Sequence, residues 1–401
     1  MSTLKRVPTD FAVLGGTPAF DHPLPVGQLY FPSWERYEEA MRGIFERGWF
    51  TNHGPLAQEL ERRFAELADV RNAITVTNAT LGLVMGAKAL GLTGRVVVPS
   101  FTFVATAQAM TWAGLEVVFA DVDRETHQLT PATLAPVLDD DVSAVLAVNL
   151  WGGTCGPDAL EELCAERGVT LFFDSAHGTG VSVGGRPLGG RGALEVFSFH
   201  ATKTLSATEG GCVCTDDDEL ASRLRNIRSS YGAGAPVAVE VTGNGRFSEA
   251  QAAIALLNLD DLPANVANNA RLHTAYTEGL AGIDGIRVVA PTGADESTYP
   301  YLVAEVDETT FGMSRDALVG LLAAENVIAR RYFRPGVHRL PPYRDDPRNV
   351  ALHLPTTEHL ARTLVQLPIG ALVDLGSVER ICTLVGAAHR LSGHLVAREA
   401  A

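Results

Sequence analysis

Short apolar runs alternate with amphipathic segments along the chain from about residue 55. Residues 55–70 place Leu56, Leu60, Phe64 and Leu67 on one face, which is the spacing of an amphipathic helix. From there to about residue 174, five apolar runs (NAITVTN, RVVVPS, LEVVFADVD, VSAVLAVNLWG and VTLFFD) are separated by helical patterns. Because these strands are apolar throughout, both faces of their sheet are expected to be covered. The pattern predicts a doubly wound, mostly parallel α/β domain.

The pattern changes in the second half of the chain. Residues 185–215 predict two more strands with no full helix between them, and residues 248–283 predict a long helical stretch broken near Pro263. The segments IRVVA, YPYLVAEVD, SRDALVGLLAAENV and IARRYF then mix short strands with helices. We therefore expect an N-terminal segment and a large α/β domain over residues 1–248, and a smaller C-terminal α+β domain over residues 249–401.

Charge and composition exclude several classes of protein. The net charge is −15 and no Lys/Arg cluster could follow a phosphate backbone, which argues against a nucleic-acid partner. No apolar run approaches the roughly 20 residues of a membrane span, and the N-terminus lacks the apolar core of a signal peptide. The five cysteines are odd in number and scattered, which favours buried reduced thiols over disulfides or a metal site. We expect a cytoplasmic, soluble protein with no membrane association.

One lysine stands alone among small and apolar residues in the stretch VFSFHATKTLSATEGGCVCT. This residue, Lys203, lies in a short connection between two predicted buried strands. A buried lysine gives up its charge easily, and a neutral amine is a nucleophile. The alternative is a lysine whose stem lies along the surface with its charge in water. From this segment alone the two interpretations stand about even.

Three further candidates follow strand ends, where open α/β sheets bind their ligands. Asp174 ends VTLFFD, residues 78–80 open a helix after ITVT, and Ser198 precedes Lys203 by five positions. Taken singly, each could be structural, as a helix cap or a strand hydroxyl bonded to the backbone. Together with Lys203 and Phe103 they offer a carboxylate for a ring nitrogen, an anion site, an amine and an aromatic cover. Pyridoxal 5′-phosphate (PLP) needs all four of these features.

The motifs FFDSAHG and VFSFHATKTLSATEGG resemble those of the DegT/DnrJ/EryC1/StrS family of sugar aminotransferases. The segments VVVPSFTFVATAQAM, FTNHGPLAQELERRF and GNGRFSEAQAAIALLNL are similar to it as well. The resemblance runs from about Leu24 to near the C-terminus. It implies the fold-type I aminotransferase architecture and a homodimer whose two active sites are shared between subunits.

The resemblance also implies roles for individual residues. Lys203 would be the Schiff-base lysine, Asp174 would pair with the pyridinium nitrogen, His177 would lie beside the 3′-oxygen and Phe103 would stack on the ring. The phosphate-binding positions would be Ala79, Thr80 and Ser198, together with Asn244 from the partner subunit. Two departures are visible. Asn78-Ala79-Thr80 replaces the common Ser-Gly-Thr, as in the deoxysugar branch of antibiotic pathways, and Phe247 replaces a Met or Leu.

The lysine selects the reaction within the family. Dehydratase relatives carry His in its place, so Lys203 favours transamination, with glutamate as donor and a nucleotide-linked ketosugar as acceptor. Residues 330–344 resemble enzymes that act at carbon 4 of dTDP-4-keto-6-deoxyglucose, and an enzyme for a carbon-3 ketosugar is the alternative. Arg246 is a candidate for the nucleotide diphosphate, because arginine pairs with phosphate in a bidentate way. Weaker candidates, for which packing at a dimer interface is nearly as good an explanation, are Arg331, Tyr332 and His338.

A hypothesis of another class is a PLP-binding regulator without catalysis. The retained lysine, aspartate and phosphate-site residues argue against an inert scaffold. Absorption distinguishes the two, because only an aminotransferase changes its absorption when glutamate is added.

Overall fold

A mostly parallel sheet of seven strands is the centre of the structure, a computed structural model that describes residues 5–232 and 234–399. Numbered in chain order, its strands are β1 Asn72–Val76, β2 Arg95–Pro99, β3 Glu116–Ala120, β4 Val142–Val148, β5 Thr170–Asp174, β8 Glu195–Ser198 and β9 Gly211–Thr215. A two-stranded hairpin, β6 Ser182–Val183 and β7 Arg186–Pro187, lies between the last two of the parallel strands. The spatial order is β1-β9-β8-β5-β4-β2-β3, and β9 runs antiparallel to both of its neighbours.

Helices cover both faces of this sheet. They are α2 Pro55–Leu67, α3 Ala79–Ala89, α4 Val104–Trp112, α5 Pro131–Leu134, α6 Pro157–Arg167 and α7 Asp218–Ser229. The first helix, α1 Trp34–Arg47, packs instead on the long helix that begins at Glu249. Strand β4 shows the two-sided burial: Ala144 and Leu146 belong to the core under α3, α4 and α7, whereas Val145 and Ala147 belong to the core on the opposite face. The mostly parallel, doubly wound sheet predicted from the sequence is confirmed.

A second, smaller sheet is antiparallel and holds a core of its own. Its strands are β10 Ile286–Val288, β11 Leu302–Val306 and β12 Leu364–Leu367, in the order β10-β11-β12. The helices in this part of the chain are α9 Glu308–Phe311, α10 Arg315–Ala324, α11 Pro347–Val350, α12 Pro355–Thr363, α13 Leu375–Arg390 and α14 Ser392–Glu399. This core also takes in Phe11, Ala19 and Leu24 from the N-terminal segment. The expected smaller α+β unit is therefore present.

The predicted break near Pro263 is wrong, because one continuous helix, α8, runs from Glu249 to Leu280. It starts in a capping box formed by Ser248 and Gln251. Its first half packs on the large sheet through a core that contains Leu259, and its second half packs on the small sheet through Tyr276. Burial at both ends offsets the hydrogen bond that a proline removes from a helix, and Pro263 itself is exposed. Because α8 belongs to both cores, the domain boundary at residue 248 stays a prediction.

The segment IARRYF does not form the predicted short strand. Arg330 alone forms a β-bridge, to Gln366 of β12, and the chain then leaves the sheet. The reason lies in Tyr332 and Phe333, whose rings stack on one another beside Trp151 rather than along a sheet face. None of the described helices is long and apolar enough to cross a membrane.

Candidate active site

A cavity of about 750 Å³ opens at the carboxyl ends of the parallel strands. The residues that follow β1, β4 and β5 line it, as does the loop after β8. Since parallel strands in one sheet end at the same edge, residues far apart in sequence meet there. The size is that of an ordinary small-molecule site. Of the cofactor-site residues predicted from the sequence, the cavity collects Lys203, Asp174, His177, Phe103, Ala79, Thr80 and Ser198.

Lys203 lines the cavity, with its amino group held inside it. It lies in the loop between β8 and β9, where its backbone N–H donates to the carbonyl of His200. Its Nζ donates to the hydroxyl oxygen of Tyr301 at 2.9 Å. The alternative of a lysine extended along the surface into solvent is therefore not what the structure shows.

Asp174 ends β5 as a buried carboxylate, 7% exposed. One oxygen accepts from the Thr106 hydroxyl at 2.8 Å and the other from the Ala176 N–H at 3.1 Å. Burial raises the pKa of Asp174, while these two hydrogen bonds and the charge of Lys203 oppose the rise. Among the described residues it forms no ion pair, so this buried carboxyl group faces the cavity without a cation in contact.

His177 follows Asp174 by three residues and is fixed by two aromatic rings. It stacks on Trp151 at 5.6 Å between ring centroids and contacts Tyr301 at 4.4 Å. Its Nδ1 accepts from the backbone N–H of Trp151 at 3.4 Å. Burial, with a further contribution from the charge of Lys203, holds the pKa of His177 well below its usual value. The lowered pKa favours the neutral imidazole, and because Nδ1 accepts a hydrogen bond, the other ring nitrogen is the one that can donate.

The start of α3 supplies an anion site. The Asn78 side chain caps the helix by accepting from Leu81 N–H at 2.9 Å, and the first-turn N–H groups of a helix have no partner within it. Gly211 on β9 lies against this turn, where a Cβ would meet the backbone nitrogen of Ala79 at 2.8 Å. Gly211, the second residue of the Gly210-Gly211 pair in the sequence, thus allows β9 and the helix start to lie in contact.

Phe103 lies at the rim of the cavity as the residue before α4, and its side chain is 54% exposed. An exposed ring at the mouth of a cavity is available to cover a flat ligand. Ser198, the last residue of β8, is buried and its Oγ accepts from the His200 N–H at 3.3 Å.

The residues predicted to bind substrate lie in different parts of the structure. Tyr332 lines the cavity. Arg331 instead pairs with Asp316 at 2.9 Å, outside the cavity lining. His338 is fully buried, and its Nδ1 lies 2.6 Å from the Ser100 hydroxyl. It therefore neither lines the cavity nor lies on a surface where a dimer interface could form.

Two other predicted residues lie away from the cavity of their own chain. The backbone carbonyl of Arg246 accepts from the Thr77 hydroxyl at 3.1 Å, and the Arg246 side chain is not among the cavity-lining groups. Asn244 is exposed, and hydrogen bonds hold the backbone beside it. The Thr77 N–H donates to the Gly245 carbonyl, and the Gly245 N–H donates to the Arg228 carbonyl.

Sequence reasoning missed three groups that the fold brings to the site. Thr106 orients Asp174, Tyr301 contacts Lys203, and Arg330 lines the cavity with its Nη1 2.8 Å from the Tyr332 hydroxyl. Arg330 forms no ion pair within the described ranges. Thr106 and Arg330 lie in segments that carry the family resemblance, but the sequence does not show that they reach Asp174 and the cavity, and Tyr301 comes from the second half of the chain.

The residues present fit PLP. The unpaired buried carboxylate of Asp174 suits a protonated ring nitrogen, and the start of α3 with its glycine contact suits a phosphate. The amino group of Lys203 lies in the same cavity as both. This sheet edge, with its carboxylate and lysine, therefore has the features of a PLP-binding site.

Comparison with known proteins assigns the family. A sequence model of the DegT/DnrJ/EryC1/StrS aminotransferase family matches residues 34–386, and the chain belongs to that family. The crystal structure of DesI in the presence of its TDP-sugar product superposes on this chain with a TM-score of 0.94. The two sequences are 41% identical, and the match covers 98% of this chain and 100% of DesI. A dTDP-4-amino-4,6-dideoxy-D-glucose transaminase of Shigella dysenteriae is 30% identical over 316 residues, 79% of this chain and 86% of the relative. Its Escherichia coli counterpart is 28% identical over 351 residues, 87% and 94% of the two chains.

Proposed function

We propose that this enzyme transfers an amino group from glutamate to carbon 4 of dTDP-4-keto-6-deoxyglucose, giving dTDP-4-amino-4,6-dideoxyglucose. The observation that carries the proposal is the similarity to DesI, a TDP-sugar enzyme, over nearly the whole of both chains. The names of the Shigella and Escherichia relatives add the position of the amino group on the sugar.

Bound PLP would supply an aldehyde for the amino group and a ring that withdraws electrons. Asp174, oriented by Thr106, would hold a positive charge at the ring nitrogen. Lys203 would carry the cofactor and, once its Nζ is free, move a proton to and from the reacting carbon. His177, neutral and held by Trp151, would donate a hydrogen bond to the 3′-oxygen.

The remaining cofactor residues would bind the phosphate and the ring face. Ala79 and Thr80 would present the N–H groups of the first turn of α3, and Ser198 would add its hydroxyl. Phe103, exposed at the rim, would cover the ring.

We add Arg330 to the arginines predicted from the sequence to bind substrate. Its guanidinium lines the cavity and is held over the Tyr332 ring, with Cζ 5.9 Å from the centroid. Both proposed substrates carry anions, a carboxylate in glutamate and a diphosphate in the sugar nucleotide. An arginine without a carboxylate partner of its own suits either of them.

We also propose that the enzyme works as a homodimer in which Asn244 completes the site of the partner subunit. The support is the geometry of this loop. The Gly243 N–H donates to the Ile227 carbonyl and the Gly245 N–H to the Arg228 carbonyl, which fixes the backbone on both sides of Asn244, while Asn244 itself is exposed. The proposed compartment is the cytoplasm, where the five buried free thiols would stay reduced.

The test compares two acceptors with the PLP-loaded enzyme and glutamate. We expect dTDP-4-keto-6-deoxyglucose to give an aminated product, found by mass analysis, with a kcat/KM well above that for a 3-keto isomer. A preference for the 3-keto sugar would replace the proposal by its carbon-3 alternative. If glutamate leaves the absorption of the bound cofactor unchanged and no product forms, the chain is a PLP-binding regulator instead.

A further inference from the structure

The hydroxyl of Tyr301 is the group that contacts the amine of Lys203. The distance from Nζ to the hydroxyl oxygen is 2.9 Å, and no other side chain in the described ranges hydrogen-bonds this nitrogen. Tyr301 directly precedes β11 of the small sheet, whereas Lys203 lies in the loop after β8 of the large one. The hydrogen bond therefore joins the two sheets inside the cavity.

The tyrosine ring is rigidly placed. It is 6% exposed, with His177 and Trp151 at 4.4 Å and 5.6 Å between centroids. The lysine Nζ lies 5.5 Å from the centroid of the ring, so the amine meets the hydroxyl and not the ring face. A fixed acceptor thus faces an amine on a flexible four-carbon stem.

We propose that Tyr301 is a positioning residue for Lys203. Its hydroxyl holds the lysine Nζ inside the cavity whenever that nitrogen is free, so that the amine stays within reach of the cofactor site. The inference rests on the proposed role of Lys203. The competing explanation is that Tyr301 only fills space between His177 and Trp151.

Tyr301→Phe separates these explanations, because it keeps the ring and removes the hydroxyl. Tyr276→Phe is the matched control: it removes another buried tyrosine hydroxyl, which donates to the Pro368 carbonyl at 2.8 Å and does not line the cavity. The readout is the rate at which cofactor-free protein attaches PLP covalently. Borohydride reduction stops the reaction, and peptide mapping locates the attachment. Pyridoxamine 5′-phosphate, which lacks the aldehyde, reports non-covalent binding to the same cavity.

In wild type we expect attachment at Lys203. In Tyr301→Phe the attachment slows by about 3- to 10-fold, the range expected for loss of one hydrogen bond that holds the amine in place. Its affinity for pyridoxamine 5′-phosphate stays within about twofold, and steady-state turnover with glutamate shows a lower kcat at nearly unchanged KM. Tyr276→Phe matches wild type in all three measurements.

Two results would overturn the inference while leaving the proposed function intact. Attachment by Tyr301→Phe at the wild-type rate would make the tyrosine a packing residue. Equal loss of attachment and of pyridoxamine 5′-phosphate binding would mean that the hydroxyl builds the cavity and does not position the lysine. If wild type attaches PLP at a residue other than Lys203, the proposed lysine assignment fails, and this inference fails with it.

Discussion

At the scale of single residues, the site combines groups that a local motif reveals with groups that it cannot. Asp174 and Lys203 follow apolar strands, and that position marks them in the sequence. Thr106 lies within an ordinary helical pattern, and Tyr301 within a strand-like one. Their contacts with Asp174 and Lys203 depend on packing between distant segments, so the sequence alone could not predict them.

Replacing Asp174 by Asn tests the proposed ring partner. The amide can still accept from Thr106, but it cannot pair with a positive ring nitrogen. We expect the rate of the glutamate half-reaction, followed by absorbance, to fall by roughly 100-fold or more with little change in melting temperature. The control is Asp217→Asn, an equivalent change at the exposed N-cap of α7. If Asp174→Asn reacts at the wild-type rate, the carboxylate does not pair with the ring nitrogen and only caps the Ala176 N–H.

At the scale of elements, hydrophobic periodicity located the strands and most helices but misjudged two segments. A proline in a helical pattern predicts a break, yet α8 stays continuous because both of its halves are buried against different sheets. The apolar and aromatic residues of IARRYF indicated a strand, yet their rings pack beside the cavity. In both places tertiary contacts outweighed local preference.

The contact between β9 and α3 can be tested through Gly211. In Gly211→Ala the new Cβ would lie 2.7 Å from the Phe197 carbonyl oxygen and 2.8 Å from Ala79 N, so backbone must move. We expect a loss of roughly 1–3 kcal/mol in unfolding free energy, together with weaker PLP binding as the helix start shifts. Gly320→Ala, which meets no atom within 4 Å in α10, should be neutral or stabilising by up to about 1 kcal/mol. Unchanged stability and PLP affinity in Gly211→Ala would refute the close-contact argument.

At the scale of the whole molecule, the sequence indicated two units but not how they share the chain. The N-terminal segment packs with the small sheet, and α8 belongs to both cores. Apolar pattern shows which residues are buried, but it does not show against which partner. The small sheet also supplies the cavity with Tyr301, and the segment after the bridge to Gln366 supplies Tyr332.

Stability should depend on pH through Glu195, a fully buried carboxyl at the start of β8. Burial raises its pKa to about 7, although Ser175 and the N–H groups of Gly189 and Arg191 donate to it. Between about pH 4.5 and 7 the unfolded chain ionises this group while the folded chain keeps it protonated, so stability falls as pH rises.

Glu195→Gln, which resembles the protonated acid, removes this contribution. The difference in unfolding free energy between variant and wild type should grow by up to roughly 3 kcal/mol from pH 4.5 to 7. Denaturant unfolding at several pH values measures it, and parallel curves for the two proteins would contradict the assignment.

Shared active sites predict complementation between two inactive chains. Lys203→Ala lacks the lysine, and Asn244→Asp places a negative charge where the partner's phosphate is proposed to bind. A mixed dimer holds one site with both defects and one with neither, so activity should recover to as much as half that of wild type per dimer. If mixed dimers are shown to form and no activity is recovered, Asn244 acts only within its own chain.

The central claim is that Lys203 and PLP move nitrogen from glutamate to carbon 4 of the nucleotide sugar. Its most direct test supplies ¹⁵N-labelled glutamate and dTDP-4-keto-6-deoxyglucose and locates the label in the product by NMR. We predict ¹⁵N bonded to carbon 4 with wild type, and no labelled sugar with Lys203→Ala under the same conditions. Label at another carbon, or labelled product from Lys203→Ala at the wild-type rate, would contradict the account.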